Sequence, residues 1–114
     1  MDLESFELVI LRRPASLPDC DEQTVQWLQR EHLAYLTWLD EAGHTVAAGP
    51  LDDQSDQSMR GLVFYRTGSL AEARRLASAD PAVRAGRLEA DVMTWYCPAG
   101  SMKLPGRILH IPDE

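Results

Sequence analysis

Lysine is almost missing from this chain: Lys103 is the single lysine among 11 basic side chains, which face 18 acidic ones and leave a formal net charge of -7 over 114 residues. A net acidic domain lacks the basic face on which phosphate binding draws, so nucleic acid is not expected as a partner. Cysteine is scarce as well. Cys20 and Cys97 form no CxxC pair, which removes zinc-ribbon and thioredoxin-type chemistry and leaves two free thiols, with no metal and no cofactor expected. Long apolar runs are absent: nothing approaches the roughly 18 residues of a membrane span. The start, Met1-Asp2-Leu3-Glu4-Ser5, is acidic where a secretory signal is basic, so a cytoplasmic protein is expected. What remains is ordinary globular composition, 45% hydrophobic and 25% charged. At this length folding hides roughly two-thirds of the unfolded surface, enough for one core.

Phe6 to Leu11 is short, rich in branched side chains and followed by Arg12-Arg13-Pro14, which reads as a mostly buried strand. After a proline-containing loop, Asp19 or Asp21 can cap a helix running from about Asp21 to Ala42 and stopped by Gly43. At 100° per residue Val25, Leu28, His32, Tyr35, Leu36 and Leu39 share one arc, the stripe expected to face the core, with His32 in its middle. Trp27 and Trp38 project elsewhere, towards loops or a second subunit. His44 to Gly49 reads as a second strand and Arg60 to Arg66 as a third, joined by a polar stretch from Leu51 to Met59. That stretch holds Asp52, Asp53 and Asp56 but lacks the glycine and terminal glutamate of a calcium loop, so it is expected to be a solvated loop or a lid. Ser69 and Glu72 have the spacing of a capping box for a second helix ending near Ala79. Asp80-Pro81 opens another helical turn, and Leu88 to Tyr96 alternates as a fourth strand.

The order strand, helix, strand, strand, helix, strand is the ferredoxin-like α+β arrangement, βαββαβ, with one antiparallel four-stranded sheet and both helices on one face. The chain divides into an α+β domain over residues 1–98 and a tail or arm over 99–114, where only Arg107 to Ile111 can pair as an extended segment. The other sheet face needs a cover, and a second copy packed sheet to sheet provides it. A homodimer is therefore expected.

This connectivity gathers Arg13, Gly49, Pro50, the polar loop through Ser58, Arg60 and Asp80 at one edge of the sheet. The first helix is longer than its strands, so His32 falls part-way below that rim, where the Asp80 turn can approach it. A carboxylate bonded to one imidazole nitrogen fixes the tautomer and stabilises the imidazolium formed by proton abstraction. Arg60 or Arg13 would hold an anionic oxygen of a small organic ligand. The bland alternatives stay open: Asp80 as an N-cap with Pro81 at the first helical position, and His32 as a satisfied buried ring.

The segments His32-Leu33-Ala34-Tyr35-Leu36, Ala48-Gly49-Pro50-Leu51, Arg60-Gly61, Glu72-Ala73-Arg74, and Asp80-Pro81 followed by Ala85-Gly86 together resemble the YciI-like (YCII-related domain) family, over about Phe6 to Pro98. The resemblance implies a dimeric α+β barrel of ferredoxin-like protomers, with His32 and Asp80 at the positions regarded in that family as a catalytic dyad. It also implies acid-base chemistry of the elimination or isomerisation kind, since a dehydrochlorinase acting on a chlorinated hydroxylated aromatic belongs to the family. The long polar loop after Leu51 and the tail from Gly100 depart from the family's minimal pattern. The alternative to an enzyme is a non-catalytic ligand-binding or accessory homodimer of the same fold.

Overall fold

Strict alternation along the first strand sets the whole architecture. In the computed structural model, which describes residues 1–112, β1 runs from Leu3 to Arg12 and turns Glu7, Val9 and Leu11 to one side and Phe6, Leu8 and Ile10 to the other. The expected strand of mostly buried residues is thus two-sided. Val9 and Leu11 are buried under helices, whereas the even-numbered residues are only partly covered.

The chain continues as α1 (Glu22–Glu41), β2 (Thr45–Pro50), β3 (Met59–Tyr65), α2 (Leu70–Ser78), the short α3 (Pro81–Arg84) and β4 (Glu89–Pro98). All strand pairs are antiparallel and the sheet order is β2-β3-β1-β4, the ferredoxin-like order. β1 and β4 each extend beyond the expected bounds, because Leu3 pairs with Pro98 and Glu4 with Cys97 across the sheet. That pairing is long-range and leaves no trace in local periodicity.

Asp21 caps α1 by accepting from the Thr24 amide at 2.7 Å. Ser69 caps α2 in the same way, accepting from the Glu72 amide. The reciprocal half of the expected capping box is not made: Glu72 pairs with Arg75, and the Ser69 amide donates to Thr67 Oγ1 instead. The core lies between the helices and one sheet face, where Leu39 of α1 and Ala73, Leu76 and Ala77 of α2 meet Val9, Val63 and Tyr65. Each fully buried Val or Leu side chain contributes roughly 1.5–3 kcal/mol. The small alanines let α2 sit close to the sheet.

Glu7 is the one acid on this inner face, and it is buried. Its carboxylate accepts from both the amide and the hydroxyl of Thr67, which ties β1 to the turn before α2. The opposite face carries Phe6, Leu8, Ile10, Phe64, Met93 and Trp95, each only partly covered. Trp95 packs there against Phe64 and Phe6, with ring centroids 5.4 and 6.0 Å apart. Beyond β4, residues 101–112 form neither helix nor strand, so the Arg107 to Ile111 segment joins no strand among the described residues, and Ile108, Leu109 and Ile111 are exposed. Trp27 and Trp38 stay about half exposed; Trp38 stacks on Tyr35 and leans on His44. No helix among the described residues is long and apolar enough to cross a membrane.

Candidate active site

His32 and Asp80, 48 residues apart in sequence, meet beneath the helices. Nδ1 of His32 lies 2.6 Å from Oδ2 of Asp80, and both side chains are buried, at 8% and 3% residue exposure. The chain turns at Ala79, and Asp80 takes the N-cap of α3 with Pro81 in the first turn. Its other oxygen, Oδ1, accepts from the Ala82 amide at 2.9 Å. Capping and histidine contact therefore coexist on one carboxylate, each using a different oxygen.

Division of the two oxygens fixes the imidazole. A carboxylate only accepts, so in the neutral ring Nδ1 carries the proton and Nε2 keeps its lone pair. Nε2 has no hydrogen-bond partner among the described residues, yet no buried side-chain nitrogen or oxygen there is left unsatisfied. Nε2 must therefore touch open space. Behind the pair stand two phenols. Tyr35 donates to the Leu76 carbonyl at 2.7 Å, and its pKa is raised, first by burial and then by the Asp80 charge. Tyr65 is pushed further up, again chiefly by burial, with Tyr35 and Asp80 adding to it. Both remain neutral at ordinary pH.

The open space is a cavity of about 540 Å³ between α1, the β2–β3 edge and the loop preceding α1, within the range typical of small-molecule sites. His32 forms part of its wall. Leu17, Leu28 and Leu33 give it apolar lining, while Arg13, Arg60 and Arg87 bring positive charge, and no Asp or Glu among the described residues lines it. Among its lining residues Gly61 runs so close to β2 that a Cβ there would lie 3.0 Å from the Gly49 carbonyl oxygen.

Comparison with known proteins bears on this geometry directly. Residues 6–96 match the YCII-related domain. The chain belongs to the YCII-related domain family. A solved structure similar to it is the 5-chloro-2-hydroxyhydroquinone dehydrochlorinase (TftG) from Burkholderia phenoliruptrix AC1100, in complex with 2,5-dihydroxybenzoquinone. The two are 26% identical over 81% of this chain and 93% of that one, with a TM-score of 0.54. No curated protein matches the chain.

In this YCII-related protein most of the residues singled out from sequence converge. Arg13, Gly49, Pro50 and Arg60 line the same cavity as His32, and Asp80 stands directly behind the imidazole. Ser58 does not join them. Its hydroxyl accepts from Arg12 Nη1 and donates to Asp56 Oδ1, and its carbonyl accepts from the Arg13 amide at 2.7 Å, so it braces the β2–β3 loop instead. The Asp-rich stretch is likewise engaged internally, with Asp56 paired to Arg12 and Gln54 bonded to the Met59 carbonyl. Among the described residues no group of three or more His, Cys, Asp or Glu side chains is placed to hold a metal.

Arg87 and Leu17 were not legible as wall residues. Arg87 follows Gly86, whose φ of 76° only glycine adopts readily, and that turn brings the guanidinium towards the Pro18 carbonyl at 3.4 Å. The available signal was the pair Ala85-Gly86 after Asp80-Pro81: a left-handed exit from so short a helix returns the chain to the place where the helix began.

Proposed function

We propose that this YCII-related protein is a small-molecule enzyme in which His32 is the general base and Asp80 its orienting partner. The observation carrying the reading is the 2.6 Å contact at Nδ1, which leaves Nε2 as the unprotonated atom at the cavity. Nε2 would take a proton from substrate carbon or hydroxyl. The released electron pair then either expels a leaving group such as chloride, forming a double bond, or moves so that the proton returns elsewhere, giving an isomer. Asp80 steadies the imidazolium meanwhile, and the arginines at the rim offset developing negative charge on oxygen. The similarity to a dehydrochlorinase supports elimination on a hydroxylated ring as the first chemistry to try.

The working unit is a homodimer. Phe6, Leu8, Ile10, Phe64, Met93 and Trp95 share the uncovered sheet face, and a second copy laid sheet to sheet is the symmetric way to bury it. Two unpaired thiols suit a reducing cytoplasm.

A second reading, a non-catalytic binding domain, draws on the Asp80 Oδ1 contact to Ala82, which is a structural cap in its own right. One experiment separates the two. Hydroxylated and chlorinated aromatics are incubated with protein in D₂O and followed by NMR for deuterium incorporation and by electrode for chloride release. A general base contributes about 10²–10⁴ in rate, so His32→Ala should lose that much on any compound the wild type turns over. Unchanged turnover in the variant removes His32 from the chemistry, and binding without turnover of any compound favours the second reading.

A further inference from the structure

We infer that the ligand of this cavity is an organic acid: an apolar body of about one ring, set against Leu17, Leu28 and Leu33, carrying a carboxylate held by Arg13, Arg60 and Arg87. The inference builds on the site read above and names its substrate class.

Two backbone devices bring the three arginines to the cavity lining. Arg12 pairs with Met59 while Leu11 pairs with Gly61, so Arg60 is the extra residue of a β-bulge. By simple alternation from Gly61 it would point to the open sheet face; the bulge lets it reach the cavity rim instead. The same irregularity separates Arg12 from Arg13. Arg12 turns outward to Asp56 and Asp91, and Arg13, tied through its amide to the Ser58 carbonyl, lines the cavity. Arg87 arrives from the far side through the left-handed Gly86, whose Cβ position would meet Pro18 at 3.2 Å.

None of the three has a carboxylate partner among the described residues, where Arg12 has two. No acid among the described residues lines the cavity, and Asp80 is screened behind His32. Three like charges around one hollow repel each other, and an anionic group bound there would relieve that repulsion. Guanidinium forks match carboxylate oxygens two by two, which selects a carboxylate over a neutral hydroxyl. The leucines of the lining accept hydrocarbon rather than a second charge, which limits the class to amphipathic acids.

The test uses the full chain and two probes that differ only in the acid group, 2,5-dihydroxybenzoate and hydroquinone, titrated by calorimetry. The carboxylate should bind at least tenfold tighter, and its affinity should fall as salt rises. Loss of one charge-assisted contact weakens binding by about 10- to 100-fold, so Arg60→Gln and Arg87→Gln should each show a loss of that order. Both positions are at the rim, where substitution leaves the core intact. Arg66→Gln, at the other end of β3, should bind as wild type. Equal affinity for the two probes, no binding of the benzoate, or indifference to both rim substitutions would overturn the inference. Failure of the catalytic reading looks different: tight, arginine-dependent binding of the benzoate combined with deuterium exchange that survives His32→Ala.

Discussion

Replacing Asp80 with Asn changes one atom and reverses one hydrogen bond. Asp80 meets the Ala82 amide with Oδ1 and His32 Nδ1 with Oδ2. The amide can only donate, so the asparagine must keep its carbonyl there and turn its NH₂ on the histidine. Nδ1 then has to accept, the ring proton moves to Nε2, and the atom at the cavity becomes a donor instead of a base. Holding a catalytic histidine in the wrong tautomer costs on the order of 10⁴ in rate in the serine-protease case, and a loss of that order is expected here. The stability cost is far smaller. A charge-assisted bond of about 1.5–3 kcal/mol gives way to a neutral one of about 1 kcal/mol, and asparagine caps a helix as well as aspartate. The net loss of about 0.5–2 kcal/mol lowers Tm by roughly 2–8 °C. Turnover, thermal melting by circular dichroism and imidazole ¹⁵N shifts read the three effects separately. A folded Asp80→Asn protein with its ring proton on Nε2 and wild-type turnover would refute the reasoning.

Gly61→Ala should destabilise by about 1–3 kcal/mol in urea titration, because its methyl meets backbone at 3.0 Å and β2 must move away. Gly49→Ala, which meets nothing within 4 Å, should stay within about 0.5 kcal/mol of wild type in the same assay. Phe64→Glu puts a charge in the middle of the aromatic cluster, so light scattering should report dimer for the wild type and monomer for the variant. Tyr65 and Tyr35 both have raised pKa values, so the native state holds their protons longer than the unfolded chain does. That stability is fully present below the ordinary tyrosine value of about 10 and is lost as pH rises above it towards the folded values. Urea midpoints should fall from pH 9 to 11, and Tyr65→Phe should flatten the fall; an unchanged slope would count against burial of that phenol.

Periodic and capping signals were legible in the sequence wherever the deciding interaction is local. The α1 stripe through Leu28, His32 and Leu39, the Asp21 cap and the Asp80-Pro81 turn all involve neighbours within one or two turns, and all three stand in the structure. Long-range pairing was not legible. The first residues of β1 belong to the sheet because Pro98 and Cys97 lie beside them, and nothing between Met1 and Ser5 announces that. The two-sidedness of β1 was hidden for a related reason: Phe6, Leu8 and Ile10 are as apolar as Val9 and Leu11, and only the placement of both helices on one face distinguishes them. At the site, residue types that suggest chemistry were found, whereas Arg87 was missed because its position depends on a left-handed glycine. Ser58 was drawn in by proximity in sequence, although its hydrogen bonds tie it to Arg12 and Asp56.

If Nε2 of His32 is the reactive atom of the cavity, a crystal of the protein soaked with 2,5-dihydroxybenzoquinone should show ligand density inside the cavity, with an oxygen or ring carbon about 3 Å from Nε2 and Asp80 still on Nδ1. Density on the surface alone, or a ligand in the cavity while Nε2 is turned into the protein and bonded there, would contradict it.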